Sequence, residues 1–203
     1  QVQVFDDIGL TFGSTLRSIL RQDPDVLLIG EIRDGETADI AVKFSLTGHL
    51  VFSTVHANDA PGTLTRLLDI GIAPFLVGSC LNLVMAQRLV RKLCTKCKEE
   101  HIPSTEELAL IGLTKKDVKS NLFKTKGCAD CRNTGYRGRT AIFEMIPMAR
   151  ELRKLVFESA NEDEIRQAAI KNGMVTLRDA GNERVLDGTT SIEEILRSTV
   201  EDL

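Results

Sequence analysis

The chain has 203 residues, 42% of them hydrophobic and 27% charged, and carries a net charge of -3. This is enough chain to bury a sizeable core, as one domain with an appendage or as two smaller domains. The charge balance excludes an overall basic footprint for nucleic acid or anionic lipid, so partners must be argued from sites. No apolar run is long enough to cross a membrane, and the opening QVQVFDD is not a charged-then-apolar leader, which gives a cytosolic expectation. The chain lacks an initiator Met and starts on a strand-like segment, so it is expected to be a piece of a longer polypeptide.

In chain order, Val2 to Phe5 reads as a strand. Thr11 to Gln22 reads as a helix with Leu16, Ile19 and Leu20 on one face, closed by Pro24. Val26 to Ile29 is an aliphatic run behind an Asp23-Pro24-Asp25 turn, the pattern of a strand buried on both faces. Glu36 to Leu46 has helical spacing and ends at Gly48, and Leu50 to Thr54 is the next strand. Together these form one βαβ unit. A right-handed crossover makes the strands parallel neighbours and brings Glu31 and His56 to one carboxyl edge, where open α/β sheets bind ligands.

Asn58 to Asp69 is predicted to be a helix, with Asp59 and Pro61 at its start, and Pro74 to Gln87 another, carrying Cys80 as a small buried residue. Arg88 to Leu93 reads as a strand. The boxes Ser104-Thr-Glu-Glu107 and Thr114-Lys-Lys-Asp117 predict two short helices between the cysteine pairs. Thr140 to Ile146 is a further strand. The remainder is helical, with starts at Asn161, Thr176 and Ser191 and stops at Gly173 and Gly188. The last helix has an apolar face of Ile192, Ile195, Leu196 and Val200.

Four of the five cysteines form Cys94-Thr-Lys-Cys97 and Cys128-Ala-Asp-Cys131. Two CxxC pairs offer four thiolates to one Zn²⁺ at about 2.3 Å, a closed site with a structural role. Disulfides or free thiols are the competing reading, less suited to a reducing compartment. Arg88, Arg91, Lys92, Lys96 and Lys98 crowd the first pair, but aromatic residues are only 4%, too few to stack bases, so no nucleic acid is expected. A carboxylate such as Glu31 at the end of a buried strand can hold Mg²⁺ or orient a water toward a phosphate; a surface acid ending a strand is the alternative. His56 can donate to a phosphate or be structural. His49 is taken as a turn residue. Arg17, Arg21 and Arg33 are read as surface or structural ion pairs rather than phosphate or subunit contacts.

Leu27-Leu-Ile-Gly-Glu31-Ile-Arg33-Asp34 resembles the Walker B motif of the ATPases that power type II secretion and type IV pilus assembly, the GspE/PilB family. Thr47-Gly-His-Leu-Val-Phe-Ser-Thr-Val-His56 resembles that family's histidine box. The likeness extends upstream through Leu10-Thr-Phe and Leu16 to Asp25. Downstream it runs through Ala86-Gln-Arg-Leu-Val-Arg, both CxxC pairs, Gly135-Tyr-Arg-Gly-Arg-Thr and the helical tail.

The resemblance implies an α/β fold: a truncated RecA-like ATPase core over residues 1–93, a four-cysteine zinc module over 94–131 and a mainly helical region over 132–203. It implies a hexameric cytosolic ring that uses ATP and Mg²⁺. Such a ring drives pilus assembly, or alternatively pseudopilus assembly in type II secretion, and meets the membrane only through inner-membrane platform and anchoring proteins. Glu31 matches the acid assigned to Mg²⁺ and water, His56 the histidine on the γ-phosphate side, and Gly30 stands where a generic Walker B has aspartate. No G-x-x-x-x-G-K-[ST] loop occurs, nor the family's Asp box, so both are expected upstream of residue 1. The chain alone is therefore expected not to hydrolyse ATP and to be monomeric or weakly associated. A non-catalytic, zinc-dependent interaction module is the alternative of another class.

Overall fold

A computed structural model describes residue 3 and residues 5–199. Most of the strand expected over Val2 to Phe5 lies outside them, as does Val200; Phe5 makes a single antiparallel bridge to Leu10. The chain forms two compact units, one from residues 1–84 and 146–173, the other from 85–145 and 174–203. The cysteine segment 94–131 lies within the second unit, and the helical segment after 132 is divided between the two.

In the first unit, α1 (Phe12–Leu20), α2 (Gly35–Leu46) and α3 (Ala60–Asp69) each start at a side-chain cap. Thr11, Asp34 and Asp59 accept the backbone N–H of Ser14, Thr37 and Gly62 respectively, satisfying donors that the first helical turn leaves without partners. Strands β1 (Val26–Ile29) and β2 (Leu50–Ser53) are parallel, with Val26 opposite Leu50 and Ile29 opposite Ser53, as the βαβ pattern requires. Burial of β1 alternates. Leu27 and Ile29 are buried, whereas Val26 and Leu28 are 55% and 75% exposed, together with Leu50 and Phe52. This corrects the expectation of a strand buried on both faces: among the described residues only one face of this two-stranded sheet is covered.

Helix α4 (Pro74–Cys80) ends seven residues before the predicted Gln87, and residues Leu83–Leu93 form strand β3 instead. Short apolar runs are ambiguous between helix and strand, and here pairing with β6 (Tyr136–Pro147) decides. The N–H of Met148 reaches Asn82 O at one end of the ribbon and that of Cys94 reaches Gly135 O at the other, so the two strands run antiparallel. Cys80, at the end of α4, is half-buried. Two more helices, α6 (Arg150–Phe157) and α7 (Glu162–Lys171), pack on α4 and α3. The core of this unit includes Leu16, Ile29, Ala38, Leu64, Val77, Leu152, Val156 and Ile165.

The second unit closes around Val90, Leu108, Ile111, Leu122, Ile142, Leu177, Val185, Ile192 and Ile195. These come from β3, β6, β5 (Leu122–Lys124), α5 (Thr105–Leu110), α8 (Leu177–Leu186) and α9 (Ile192–Ser198) and the turn after α5; β4 (Glu99–His101) pairs antiparallel with β5. The Ser104 box forms in full and starts α5. The second box gives no helix: Thr114 N and Oγ1 both donate to Asp117 Oδ2, at 2.8 and 2.7 Å, and the segment stays a turn. Gly181 permits α8 and α9 to touch, since a Cβ there would lie 2.9 Å from two carbons of Ile195.

A fully buried carboxylate, Glu194, ties α9 to the ribbon. It accepts from the Arg91 backbone N–H at 2.9 Å and from the Arg91 and Arg197 guanidiniums at 2.6 to 3.0 Å. Arg91 also lies over the Tyr136 ring, whose hydroxyl meets Ser191 Oγ at 2.8 Å. Burial alone would raise the Glu194 pKa, but the two guanidiniums and the Arg91 N–H outweigh it and hold the group at about 2. A folded-state pKa below the unfolded value makes this stability present above about pH 4.5 and lost as pH falls toward 2, on the order of 3 kcal/mol. Denaturant midpoints of the wild type should fall across that window. Glu194→Ala, which removes the shared partner of two half-exposed guanidiniums and of the Arg91 N–H, should cost about 1.5–3 kcal/mol at neutral pH.

Candidate functional site

The carboxyl edge of β1 and β2 is locked on both sides of Glu31. Thr54 Oγ1 donates to Gly30 O at 2.7 Å, and the N–H of Ile32 donates to Thr54 O at 2.9 Å, so the parallel pairing continues past the strands. Ile29 and Ile32 are buried on either side, and Asp34 then caps α2. Glu31 thereby sits on an anchored backbone, with a side chain 19% exposed.

A guanidinium and an imidazole close on that carboxylate. Arg33 Nη2 lies 2.6 Å from Oε2, and His56 Nε2 lies 2.7 Å from Oε1. The structure therefore brings together the two residues singled out in sequence, Glu31 and His56. Arg33, read from sequence as a surface ion pair, is an ion pair with Glu31 itself. The Arg33 hydrogen bond, with the charges of Arg33 and His56, outweighs partial burial and holds the Glu31 carboxyl below its usual range, so it is ionised at neutral pH. Both partners lie at the surface: the Arg33 and His56 side chains are 76% and 87% exposed. Glu31 Oε1 is buried and has no hydrogen-bond donor aligned on it, a hard oxygen suited to a divalent cation such as Mg²⁺.

The other arginines do not reach this group. Arg17 pairs with Glu36 on α2, and Arg21 is the C-cap of α1. His49 stacks on Phe44 at 4.0 Å between ring centroids and meets Thr47 Oγ1 at 2.9 Å, the turn role expected for it. Thr54 was not visible as a site residue, since its role is a backbone lock. Asp34 carried a helix-start signal, an acid three residues before Thr37.

In the second unit, Cys94, Cys97, Cys128 and Cys131 converge, all four sulfurs lying within 4.8 Å of one another. Three measured edges are 3.9 Å (Cys94 to Cys128), 3.8 Å (Cys97 to Cys131) and 3.7 Å (Cys128 to Cys131). Sulfurs 2.3 Å from the centre of a tetrahedron are about 3.8 Å apart, so the donor set and its spacing fit a zinc module. These separations are too long for disulfides. Burial pushes the Cys97 thiol up to about 12, while for Cys131 burial is outweighed by N–H groups of Cys128 and Gly135 and by neighbouring thiols, which hold it at about 6.

Three of the basic residues beside the first pair are engaged within this unit. Arg91 holds Glu194, Lys96 pairs with Asp130 at 2.8 Å, and Lys98 donates to Gly188 O at 2.9 Å while lying over the Phe123 ring. Next to Cys94, the N–H of Leu93 donates to Thr189 O at 2.8 Å, so the turn between α8 and α9 rests on the cysteine module.

Among solved structures, the chain is similar in fold to the pilus retraction motor PilT with bound ADP, with a TM-score of 0.64 and 23% identity over 95% of this chain and 44% of that one. It is similar also to the ATPase DotB of Legionella pneumophila, with a TM-score of 0.61 and 19% identity over 91% of this chain and 41% of that one. The described residues contain no helix long and apolar enough to cross a membrane. Curated relatives include the type IV pilus assembly ATPase PilB of Myxococcus xanthus, 51% identical over 100% of this chain and 36% of its own length. They also include the type II secretion system protein E of Pseudomonas aeruginosa, 48% identical over 100% of this chain and 40% of its own length. The chain thus spans well under half of either. A family profile described as type II/IV secretion system protein matches residues 1–197. With that profile, two such relatives, a mixed α/β fold and a four-cysteine cluster fit for zinc, the chain belongs to the type II/IV secretion system protein family.

Proposed function

We propose that this chain is the carboxyl-terminal part of a cytoplasmic motor ATPase whose phosphate-binding loop and Asp box lie upstream, and that the motor drives assembly of a type IV pilus. The observation that carries this reading is the meeting of an ionised Glu31 with His56 and Arg33 at the carboxyl edge of a parallel sheet. The resemblance to PilB, the first relative named above, favours pilus assembly; a type II secretion motor driving pseudopilus assembly is the alternative, since both kinds of relative match the whole chain. In either case the working form is a homo-hexamer docked on inner-membrane platform and anchoring proteins.

The roles follow from charge and exposure. Glu31 is fixed and anionic, suited to orienting a water for attack on the terminal phosphate. Mg²⁺, when bound, would be held at Glu31 together with the nucleotide phosphates and would neutralise their charge. His56 and Arg33 rest on the carboxylate and are exposed enough to swing toward a polyanion, His56 by donating from Nε2. Zn²⁺, held by Cys94, Cys97, Cys128 and Cys131, would cross-link the start of the second unit and, through Leu93 and Lys98, the α8–α9 turn.

The chain extended upstream through the phosphate-binding loop should hydrolyse ATP. Glu31→Gln in that protein should lose about 10² or more of turnover with nucleotide binding retained; full turnover in the variant would move the catalytic carboxylate elsewhere. The present 203 residues alone should show no Glu31-dependent turnover. Elemental analysis should return one zinc per chain. Chelation, or Cys97→Ser, should expose the Leu93 amide and the α8–α9 turn to hydrogen exchange, and chelation should be easier at acid pH because the bound thiolates take up protons. A metal-free protein with unchanged protection would remove zinc from the reading.

A further inference from the structure

His56 lies on a short loop between β2 and α3, and its side chain is 87% exposed. Its position is therefore set by the backbone at the loop's two ends more than by packing. The near end is Thr54, bonded to Gly30 and Ile32. The far end is Asp59. One of its oxygens, Oδ1, accepts the N–H of Gly62 at 2.8 Å and closes the first turn of α3. The other, Oδ2, accepts Arg166 Nη2 at 2.7 Å, from helix α7, 107 residues further on.

This pair is shielded. Side-chain exposure is 17% for Asp59 and 21% for Arg166, and Glu162 Oε1 holds the same guanidinium nitrogen at 2.7 Å. Salt screens such a pair less than an exposed one, and removing one partner leaves the other partly buried without its counter-charge. Helix α3 does not depend on it for packing, since Ala60 and Leu64 are wholly buried and Leu67 nearly so. Loss of the arginine should thus loosen Asp59 and the loop that leads to it while the helix itself stays in place.

We propose that Arg166 is a positioning residue for His56: by clamping the helix-capping Asp59, it fixes the far end of the loop that holds the imidazole against Glu31. The proposal rests on the reading of Glu31 and His56 as the hydrolytic pair. The arginine acts through α3 and contacts neither of them. Small displacements of a reacting group are costly to rate, about 10²-fold for 1 Å.

The test is steady-state ATP hydrolysis by the full-length protein that contains this chain. Arg166→Met should lower kcat at least about tenfold and leave KM for ATP within about twofold, and Arg166→Lys should recover part of the loss. Glu162→Gln, which removes only the second partner, should stay near wild type. The deciding measurement is a double-mutant cycle. If Arg166 works by placing His56, Arg166→Met combined with His56→Ala should be no slower than His56→Ala alone; independent, multiplying losses would overturn the proposal. Should Arg166→Met fail to fold, Asp59→Asn keeps the cap oxygen, weakens the clamp and enters the same cycle. Glu31→Gln is measured alongside. Full turnover there defeats the reading of the site, whereas its loss together with an unaffected Arg166→Met defeats this proposal alone.

Discussion

The parallel pairing of β1 with β2, carried one step further by Ile32 and Thr54, is the constraint on which the first unit depends. It turns twenty-five residues of separation between Glu31 and His56 into a distance of 2.7 Å. A parallel pair needs a crossover, and α2 supplies it, started by the Asp34 cap and ended near Gly48. Every residue of the site inherits its place from that geometry. Glu31 follows β1, Arg33 precedes the cap, and His56 follows β2. The edge of the sheet is thus a consequence of chain order, and the carboxylate between a guanidinium and an imidazole is a consequence of the edge.

The division of labour at the edge is electrostatic. A carboxylate held on a locked backbone cannot move far, while the long Arg33 side chain and the exposed imidazole can. The arrangement keeps Glu31 ionised, with the Arg33 guanidinium and the His56 imidazole beside it at the surface. The second unit solves a different problem. Its core is interrupted by a cysteine module with little apolar surface, so stability there rests on convergent sulfurs, on the buried Glu194 with Arg91 and Arg197, and on backbone bonds from Leu93 and Lys98 to the α8–α9 turn. Buried charge is costly unless fully paired, and Glu194 is bonded from both guanidiniums and a backbone N–H.

Local signals were legible wherever one side chain satisfies its own neighbourhood. The caps at Asp59, Ser104, Asn161, Thr176 and Ser191 all form, and Gly173 and Gly188 take positive φ at helix ends. The cysteine spacing and the βαβ period were equally legible, because each is written in the distance between like residues along the chain. The failures share a cause. Thr114 with Asp117 makes only half of a capping box, the Asp117 carboxylate accepting from Thr114 while the Asp117 N–H goes to the Thr114 carbonyl, and Leu83 to Gln87 reads as helix until β6 offers a partner.

By itself, then, the sequence determined the parallel unit, the convergence of Glu31 and His56 at one edge, most helix starts and the four-sulfur donor set. Those depend on periodicity and on contacts short in sequence. Tertiary structure alone decided that Arg33 rests on Glu31, that Arg166 clamps Asp59, that Glu194 is buried between two arginines and that one face of β1 stays uncovered. Side-chain ion pairs across 107 residues, and the covering of a sheet face, leave no period in the chain. Both are set by which elements meet in space.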